Sequence, residues 1–393
     1  MTQVIEVPLV STAKTQFLAC VETEDSKYTS FSLTTRPNEH GDASFDSQLT
    51  RGHMDILIVD SIRSGTGRDS RNNFGENILK PLFTSLGIPH QVLRTRDSDS
   101  AAQLGHTLRP CSQNTIIIFL SGDTTISEFL NSLNRNTFAG SRPTLSLLPL
   151  PLGTGNAWAN SLGLCCPATS LSGFLQGKLA HQSFPLYQAT FPNGFEMIFF
   201  IVLSVGFHAN LLHLCSQQRF QSLGVERFRI ASQEIFQSYS LKYRLCVSGL
   251  PTRDYAYFAL INTPDLESSY KPSPQSDPLR SQLHVLGYSS NLQQQALINE
   301  IMKGYSNQAG DNIHGDGVTY VPYDHALDVT FDQVPENVSN NYYEICCDGH
   351  LLNMLSLQPE NHEFDGRICI RFLKDFSSFK LKVMTPCNGL YDF

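Results

Sequence analysis

Three short stretches carry the residue types that handle phosphate. They are Ser64-Gly65-Thr66-Gly67 followed by Arg68, Ser121-Gly122-Asp123-Thr124, and Pro151-Leu152-Gly153-Thr154-Gly155-Asn156. Glycine lets the main chain approach a ligand closely, and backbone amides at a turn or helix start converge on anionic oxygens. Asp123 adds a carboxylate that can take a proton from a hydroxyl or hold a divalent cation through water. The same residue also suits a plainer role, an acceptor capping a helix over 124–133. None of the three reads GxxxxGK[ST] or GxGxxG, so ordinary P-loop NTPases and simple dehydrogenases are poor fits.

The elements that must position these loops alternate. "DILIVD" from Asp55 is an apolar strand ending at the first loop. "NNFGENILKPLFTSLG" has helical spacing closed by Gly87, "PHQVLRTR" is a second strand and "DSDSAAQLGHTLR" a second helix. Strand "NTIIIFL", the Asp123 loop, helix "TISEFLNSL" and strand "TLSLLPL" follow. Such alternation means a doubly wound parallel sheet with helices on both faces, whose ligands collect at the carboxyl ends of the strands. All three loops then fall on one edge.

Before this region, residues 1–50 hold three β-like runs, "QVIEVPLV", "TQFLACVE" and "YTSFSLTT", read as a small β appendage or a partly mobile extension. Beyond Phe184 the texture becomes β-rich, with helical spacing in "GVERFRIASQEIFQSYS" and "NLQQQALINEIMKGY". That pattern predicts an antiparallel β-sandwich. "MIFFIVLSVGF", Met197 to Phe207, reads as one core strand, too short to span a bilayer. The expected domains are therefore 1–50, 51–184 and 185–393, with the C-terminal strands free to return to the first α/β domain.

Only 16% of residues are charged, while 25 Phe and 14 Tyr supply apolar surface, so most of the chain is expected to fold. A formal charge of −8 argues against nucleic acid as a partner, because no basic stripe is present to neutralise phosphates. The first thirty residues show neither a secretory pattern nor a lipidation signature, which sets cytoplasmic residence, with peripheral membrane contact open, as the expectation. Ten cysteines lack metal-ligand spacing, and the vicinal pairs Cys165-Cys166 and Cys346-Cys347 read as small buried hydrophobes.

The order of these loops resembles the catalytic domain shared by diacylglycerol kinases and long-chain-base (sphingosine) kinases, whose loops read [GS]GDG and P[LA]G[TS]GN. "SVGFHANLLHLCSQQRFQSLGVERFR" is similar to that family's GF segment and LGxxRF helix start, and "CCDGHLL" falls where its DGE motif stands. The resemblance runs from about residue 55 to 375. It implies transfer of the γ-phosphoryl group of ATP, with Mg²⁺, to a lipid hydroxyl, the nucleotide lying between the domains and the lipid in the sandwich.

Carried over residue by residue, the resemblance makes Asp123 the acid or base, with Asp348 a second catalytic carboxylate and both near the metal. Ser64, Gly65, Ser121, Gly122, Thr124, Gly153, Thr154, Gly155 and Asn156 become nucleotide-phosphate contacts. Thr95 is a further nucleotide contact, and Arg227 reaches the phosphates with Glu128 as its acidic partner. Arg219 is a weaker substitute for a second arginine. Asn210 and His213 face the acceptor. Four departures stand out: Thr124 for the second Gly of GDG, Ser61 for the Asn of NPxSG, His350 for the Glu of DGE, and no carboxylate at Asn210-Leu211-Leu212-His213 where long-chain-base kinases meet an amine. An inactive relative that binds nucleotide or lipid is the alternative these departures motivate. If Thr124 needed positive φ, its side chain would cost about 1–2 kcal/mol.

Overall fold

The structure, a computed structural model, describes residues 2–387 except 26, 52–53, 66, 98, 110–113, 134–141, 222, 224–225, 239, 307–314, 334–337, 361 and 375–377. It divides into two units, Met1–Phe184 with Ser377–Phe393, and Pro185–Phe376. Thr66 of the first glycine loop and Gly224 and Val225 of the LGxxRF-like segment lie outside the described residues.

The first unit begins with an antiparallel three-stranded sheet of β1 (Thr2–Ser11), β2 (Thr15–Glu24) and β3 (Lys27–Pro37). This sheet is a docked part of the unit rather than a mobile extension. Ser172 Oγ donates to Pro8 O at 2.7 Å and Leu9 O at 2.9 Å, and Gln176 Nε2 donates to Leu9 O at 2.8 Å. Phe31 meets Phe74 edge to face, with centroids 5.1 Å apart.

Next come β4 (Asp55–Asp60), α1 (Lys80–Leu86), β5 (Gln91–Arg94), α2 (Ser100–Thr107), β6 (Asn114–Ser121), α3 (Asp123–Ser132), β7 (Thr144–Pro151), α4 (Ala157–Ser161), α5 (Pro167–Leu175) and β8 (Leu179–Gln182). A single π turn, Gly75–Leu79, leads into α1, and Gly87 closes that helix at φ 66°, the left-handed conformation glycine adopts without a Cβ clash. Strands β4 to β7 are parallel in the order β5-β4-β6-β7, and Lys380–Pro386 adds to β7 in parallel before β8 closes the row antiparallel. Ile116 to Leu120 are all at most 2% exposed, as a strand covered by helices on both faces requires. Strand order reverses between β4 and β6, so the loops after these two strands emerge at the topological switch point.

The second unit holds β9 (Leu186–Thr190), β10 (Glu196–Phe199), β11 (Val202–Gly206), α6 (Phe207–Ser216), α7 (Gln218–Gln221), α8 (Glu226–Ser238), β12 (Tyr243–Val247), β13 (Arg253–Ile261), β14 (Leu283–Ser289) and α9 (Gln294–Met302). It continues with β15 (Val318–Tyr323), β16 (Leu327–Gln333), β17 (Glu344–Cys347), β18 (His350–Asn353) and β19 (Arg367–Leu373). The expected two layers are built from one branched antiparallel sheet. Arg253–Tyr255 of β13 pair with β12, and Tyr257–Ile261 pair with β11. From β12 the ladder runs through β16, β19, β9 and β10; from β11 it runs through β17 and β18; β14 and β15 add to β13. Tyr187, Leu203, Leu245, Val329, Ile345 and Ile368 come from both arms and share one buried cluster.

The apolar run Met197–Phe207 is two strands, not one. The chain breaks at Phe200-Ile201, where the ladder gives way to a side chain: Asp348 accepts from Phe200 N at 2.8 Å, Ile201 N at 3.0 Å and Val202 N at 2.8 Å. Unbroken hydrophobicity in sequence hid this corner because its amides are satisfied from position 348. Of the vicinal cysteines, Cys346 and Cys347 are buried as expected, whereas Cys165 is exposed and Cys166 half-buried.

Asp348 sits at φ 45°, so Asp348→Gly retains the backbone freedom while removing the acceptor of three buried amides. We expect this variant to lose about 3 kcal/mol or more in urea unfolding. Wild-type stability would show that the corner does not depend on the carboxylate.

Candidate functional site

In the first unit the three loops converge. Gly122 and Gly153 approach so closely that a Cβ on Gly153 would lie 2.3 Å from Gly122 Cα, and a Cβ on Gly65 would lie 3.1 Å from Leu152 O. Such contacts hold two loops side by side only where neither carries a side chain. Leu152 N donates to Ser121 O at 3.3 Å, extending the β6–β7 ladder into the loops.

Arg68 fastens the same three strand ends. Its guanidinium donates to Ser64 O (3.2 Å), Leu152 O (3.3 Å) and Leu120 O (3.2 Å). Asp60 Oδ1 stands 4.0 Å from Arg68 Nε, and both side chains are nearly enclosed. Burial works against charge on each of them: it raises the Asp60 pKa despite Arg68, and it lowers that of Arg68 despite Asp60. The sequence drew attention to Arg68 only as a companion of the first loop; two of its three carbonyl partners, 52 and 84 residues away in the chain, leave no local signal.

Asp123 opens α3, with Gly122 at the N-cap. Its carboxylate does cap a helix, but a different one from the helix expected: Oδ2 accepts from Ala157 N at 2.7 Å and Oδ1 from Trp158 N at 3.1 Å, at the start of α4. Burial raises its pKa to about 6, the amides of Trp158, Ala157 and Asp123 itself opposing the rise. Each oxygen retains a lone pair, so the group can still accept from a hydroxyl. Asn156 stands at the N-cap position of α4 at φ 54° and braces its own loop: Oδ1 accepts from Gly153 N at 2.7 Å, and Nδ2 donates to Gly153 O at 3.1 Å.

The remaining first-unit residues fall around this core. Ser64 Oγ donates to Ser61 Oγ at 2.8 Å, and Thr125 Oγ1 donates to the same atom at 3.4 Å, so serine at 61 still ties the first loop to α3. Ser121 is buried, and its hydroxyl donates to Gly122 O at 3.1 Å. Thr124 is exposed in the first turn of α3 and does not take positive φ, so the strain cost considered for it does not arise. Thr154 is exposed and Gly155 half-buried.

Thr95 is buried, and its amide donates to Asp60 O at 3.0 Å, lacing the end of β5 to the start of the first loop. Beside it a cleft of about 1090 Å³ runs along β5, with Ile62, Arg94, Arg96, Ser100, Gln103 and Leu104 among its walls. Glu128 has its pKa raised to about 7, by burial first and then by Asp99.

The other site residues belong to the second unit. Arg227, on α8, lies over Phe228 with its guanidinium carbon 4.9 Å from the ring centroid, and its Nε is buried without a hydrogen-bond partner. Glu128 and Arg227 thus fall in different units, each described by its own surroundings. Arg219 is engaged by Glu234 at 2.8 and 2.6 Å. Asn210 is 1% exposed, donates to Gly206 O (2.9 Å) and Tyr243 Oη (2.8 Å), and accepts from Asn341. His213 Nδ1 lies 2.8 Å from Glu344 Oε2. The sequence reading found no carboxylate on α6; the structure supplies Glu344 from β17, 131 residues away. No cluster of three His, Cys, Asp or Glu side chains suited to a metal occurs among the described residues. Nor is any described helix long and apolar enough to cross a membrane.

Gly153→Ala places a methyl into the backbone of the neighbouring loop. We expect a melting temperature several degrees lower, about the effect of a 1–3 kcal/mol overpacking cost, together with weakened binding of any phosphate ligand. An unchanged melt with unchanged ligand affinity would show that the loops do not need to touch.

Residues 56–181 match the family of the diacylglycerol kinase catalytic domain. Sphingosine kinase B of Dictyostelium discoideum is 28% identical over 167 residues, 40% of this chain; the match spans about a fifth of that protein, 21% of its length. A crystal structure of a diacylglycerol kinase from Bacillus anthracis str. Sterne shares the fold with a TM-score of 0.55 at 16% identity, covering 84% of this chain and 97% of that one. The matched stretch, residues 56–181, encloses all three glycine loops and Asp123, and it is this stretch that is similar to the diacylglycerol kinase catalytic domain.

Proposed function

We propose that this chain transfers the γ-phosphoryl group of ATP to the hydroxyl of a lipid alcohol. The observation that carries the reading is the meeting of three glycine loops at a sheet switch point with one aspartate of pKa about 6 among them. Phosphoryl transfer asks a protein for alignment and charge stabilisation. First-turn amides of α3, which have no intrahelical acceptor, and the Gly153–Asn156 loop suit the phosphates. The cleft beside Thr95 suits the base, its alkyl walls stacking and its hydroxyl and amide groups hydrogen bonding.

Asp123 is the group we assign to the acceptor hydroxyl. Above pH 6 it is chiefly a carboxylate and can take the hydroxyl proton as the oxygen attacks phosphorus. Mg²⁺, which neutralises phosphate charge when bound, ordinarily takes one or two protein carboxylates and the rest of its shell from substrate phosphates and water. A single carboxylate at Asp123 fits that role; Asp348, whose oxygens already accept three amides, fits it less well.

The acceptor remains a class: a long-chain base, a diacylglycerol-like molecule or another apolar alcohol. A protonated amine in an apolar pocket needs an opposing charge. Glu344 beside His213 offers one despite the absence of an acid on α6. A second reading, a nucleotide- or lipid-binding relative without turnover, draws on His350 in place of an acid beside Asp348.

The test is incubation of purified protein with labelled ATP, Mg²⁺ and a panel of lipid alcohols. Phosphate on at least one lipid supports the kinase; ATP binding with no phosphorylated lipid supports the second reading. Asp123→Asn should lower turnover by about 10²–10⁴-fold with ATP affinity within a few-fold. The wild-type rate should climb with pH to a plateau above about 6, because only the ionised form accepts a proton. A rate flat from pH 5 to 8, or near-normal turnover of the variant, would remove Asp123 from the chemistry. With a long-chain base as acceptor, Glu344→Gln should raise its KM about tenfold or more and leave neutral alcohols unaffected. Equal effects on both lipid classes would assign Glu344 to structure alone.

A further inference from the structure

In the second unit, far along the chain from the residues assigned to chemistry, a cavity of about 380 Å³ is lined by Arg253, Tyr255, Ser289, Asn291 and Thr319 among others. Strand geometry builds it. Tyr255 of β13 is paired with Ser289 of β14, and a register shift follows it before Tyr257. Its ring then crosses β14 at Gly287, where a Cβ would lie 2.3 Å from the Tyr255 Cε1, so only glycine leaves room for the phenol. Gly287 in turn pairs with Thr319 of β15, which brings the phenol toward that hydroxyl.

Arg253 Nη1 donates to Thr319 Oγ1 at 3.2 Å, and among the described residues the Arg253 guanidinium meets no carboxylate. Tyr255 is 1% exposed, and its hydroxyl is buried without a partner within hydrogen-bond distance. Thr319 and Arg253 stand beside that hydroxyl; Thr319 accepts from Arg253 and keeps a second lone pair. Ser289 and Asn291 add neutral donors. The cavity also contains one acid and a second cation, Asp254 and Arg244; Asp254 is matched by Arg244 at 3.4 Å and Lys242 at 3.6 Å, and Arg244 also reaches Asp332 at 3.0 Å. A buried phenol outside hydrogen-bond distance of any partner, at the same mouth as an exposed arginine that no described carboxylate engages, offers donors that an oxygen-rich anion can take.

We propose that this cavity of the second unit is an oxyanion site for a phosphate group, with Arg253 and Tyr255 as its principal donors. Its volume accommodates a phosphate with a small attached group. A lipid head group and a soluble phosphate compound share that chemistry.

The experiment titrates the full chain with inorganic phosphate by calorimetry, as wild type, Arg253→Gln and Tyr255→Phe. Arg253 is exposed and its replacement leaves the core intact. The expected result is binding that weakens about tenfold or more in Arg253→Gln and about fivefold in Tyr255→Phe, with thermal melting unchanged for Arg253→Gln. Sedimentation with phosphatidylcholine vesicles, with and without phosphatidylglycerol, separates the sources. Capture by the anionic vesicles that Arg253→Gln abolishes identifies a head group; phosphate binding without vesicle capture identifies a soluble ligand. Absence of phosphate binding, or binding equal in wild type and Arg253→Gln, overturns the proposal.

Discussion

The contact between Gly122 and Gly153 is the constraint on which the first unit's site depends. Two parallel strands end at the same level, and their following loops can lie side by side only because neither bears a Cβ at the crossing. That proximity places the Asp123 carboxylate against the amides of Ala157 and Trp158, so one acid ties the loop after β6 to the helix after β7. The same tie accounts for the acid's chemistry. It is enclosed enough for its pKa to rise to about 6, yet main-chain amides limit that rise, leaving it ionised near neutrality. Arg68 plays the complementary part with a cation, satisfying three carbonyls where the strands fray into loops.

Much of this arrangement was legible in sequence because local physics wrote it there. The run from Ile116 to Leu120 is buried on both faces, and continuous apolar character is what such a strand must show. Gly87 marked the end of α1 for the same local reason. The break at Phe200-Ile201 was illegible, because the group that satisfies its amides comes from Asp348, far away in the chain. So was the capping role of Asp123, which a local rule assigned to its own helix while the fold gave it the neighbouring one. Glu344 reaches His213 by the pairing of β17 with β11, and no spacing in the sequence announces that.

The departures from the lipid kinase pattern have uneven weight. Threonine at 124 is accommodated in an ordinary helical turn, and serine at 61 keeps a hydroxyl network with Ser64 and Thr125. Both changes are absorbed by geometry. Histidine at 350 differs, since it removes a negative charge next to an aspartate already committed to main-chain amides. The loops of the first unit thus keep the geometry that the proposed phosphate role asks for, while Asp348, in the turn after β17, is occupied by main-chain amides.

The strand Lys380–Pro386 lies between β7 and β8 although the whole second unit separates it from them in sequence. During synthesis, β8 leaves the ribosome nearly two hundred residues before the only strand that pairs with it among those described. For that interval the nascent first unit exposes the bare edge of β7, an edge that invites mispairing. Completion of this sheet therefore waits until Lys380–Pro386 has been synthesised, and until then the edge of β7 stays open to mispairing.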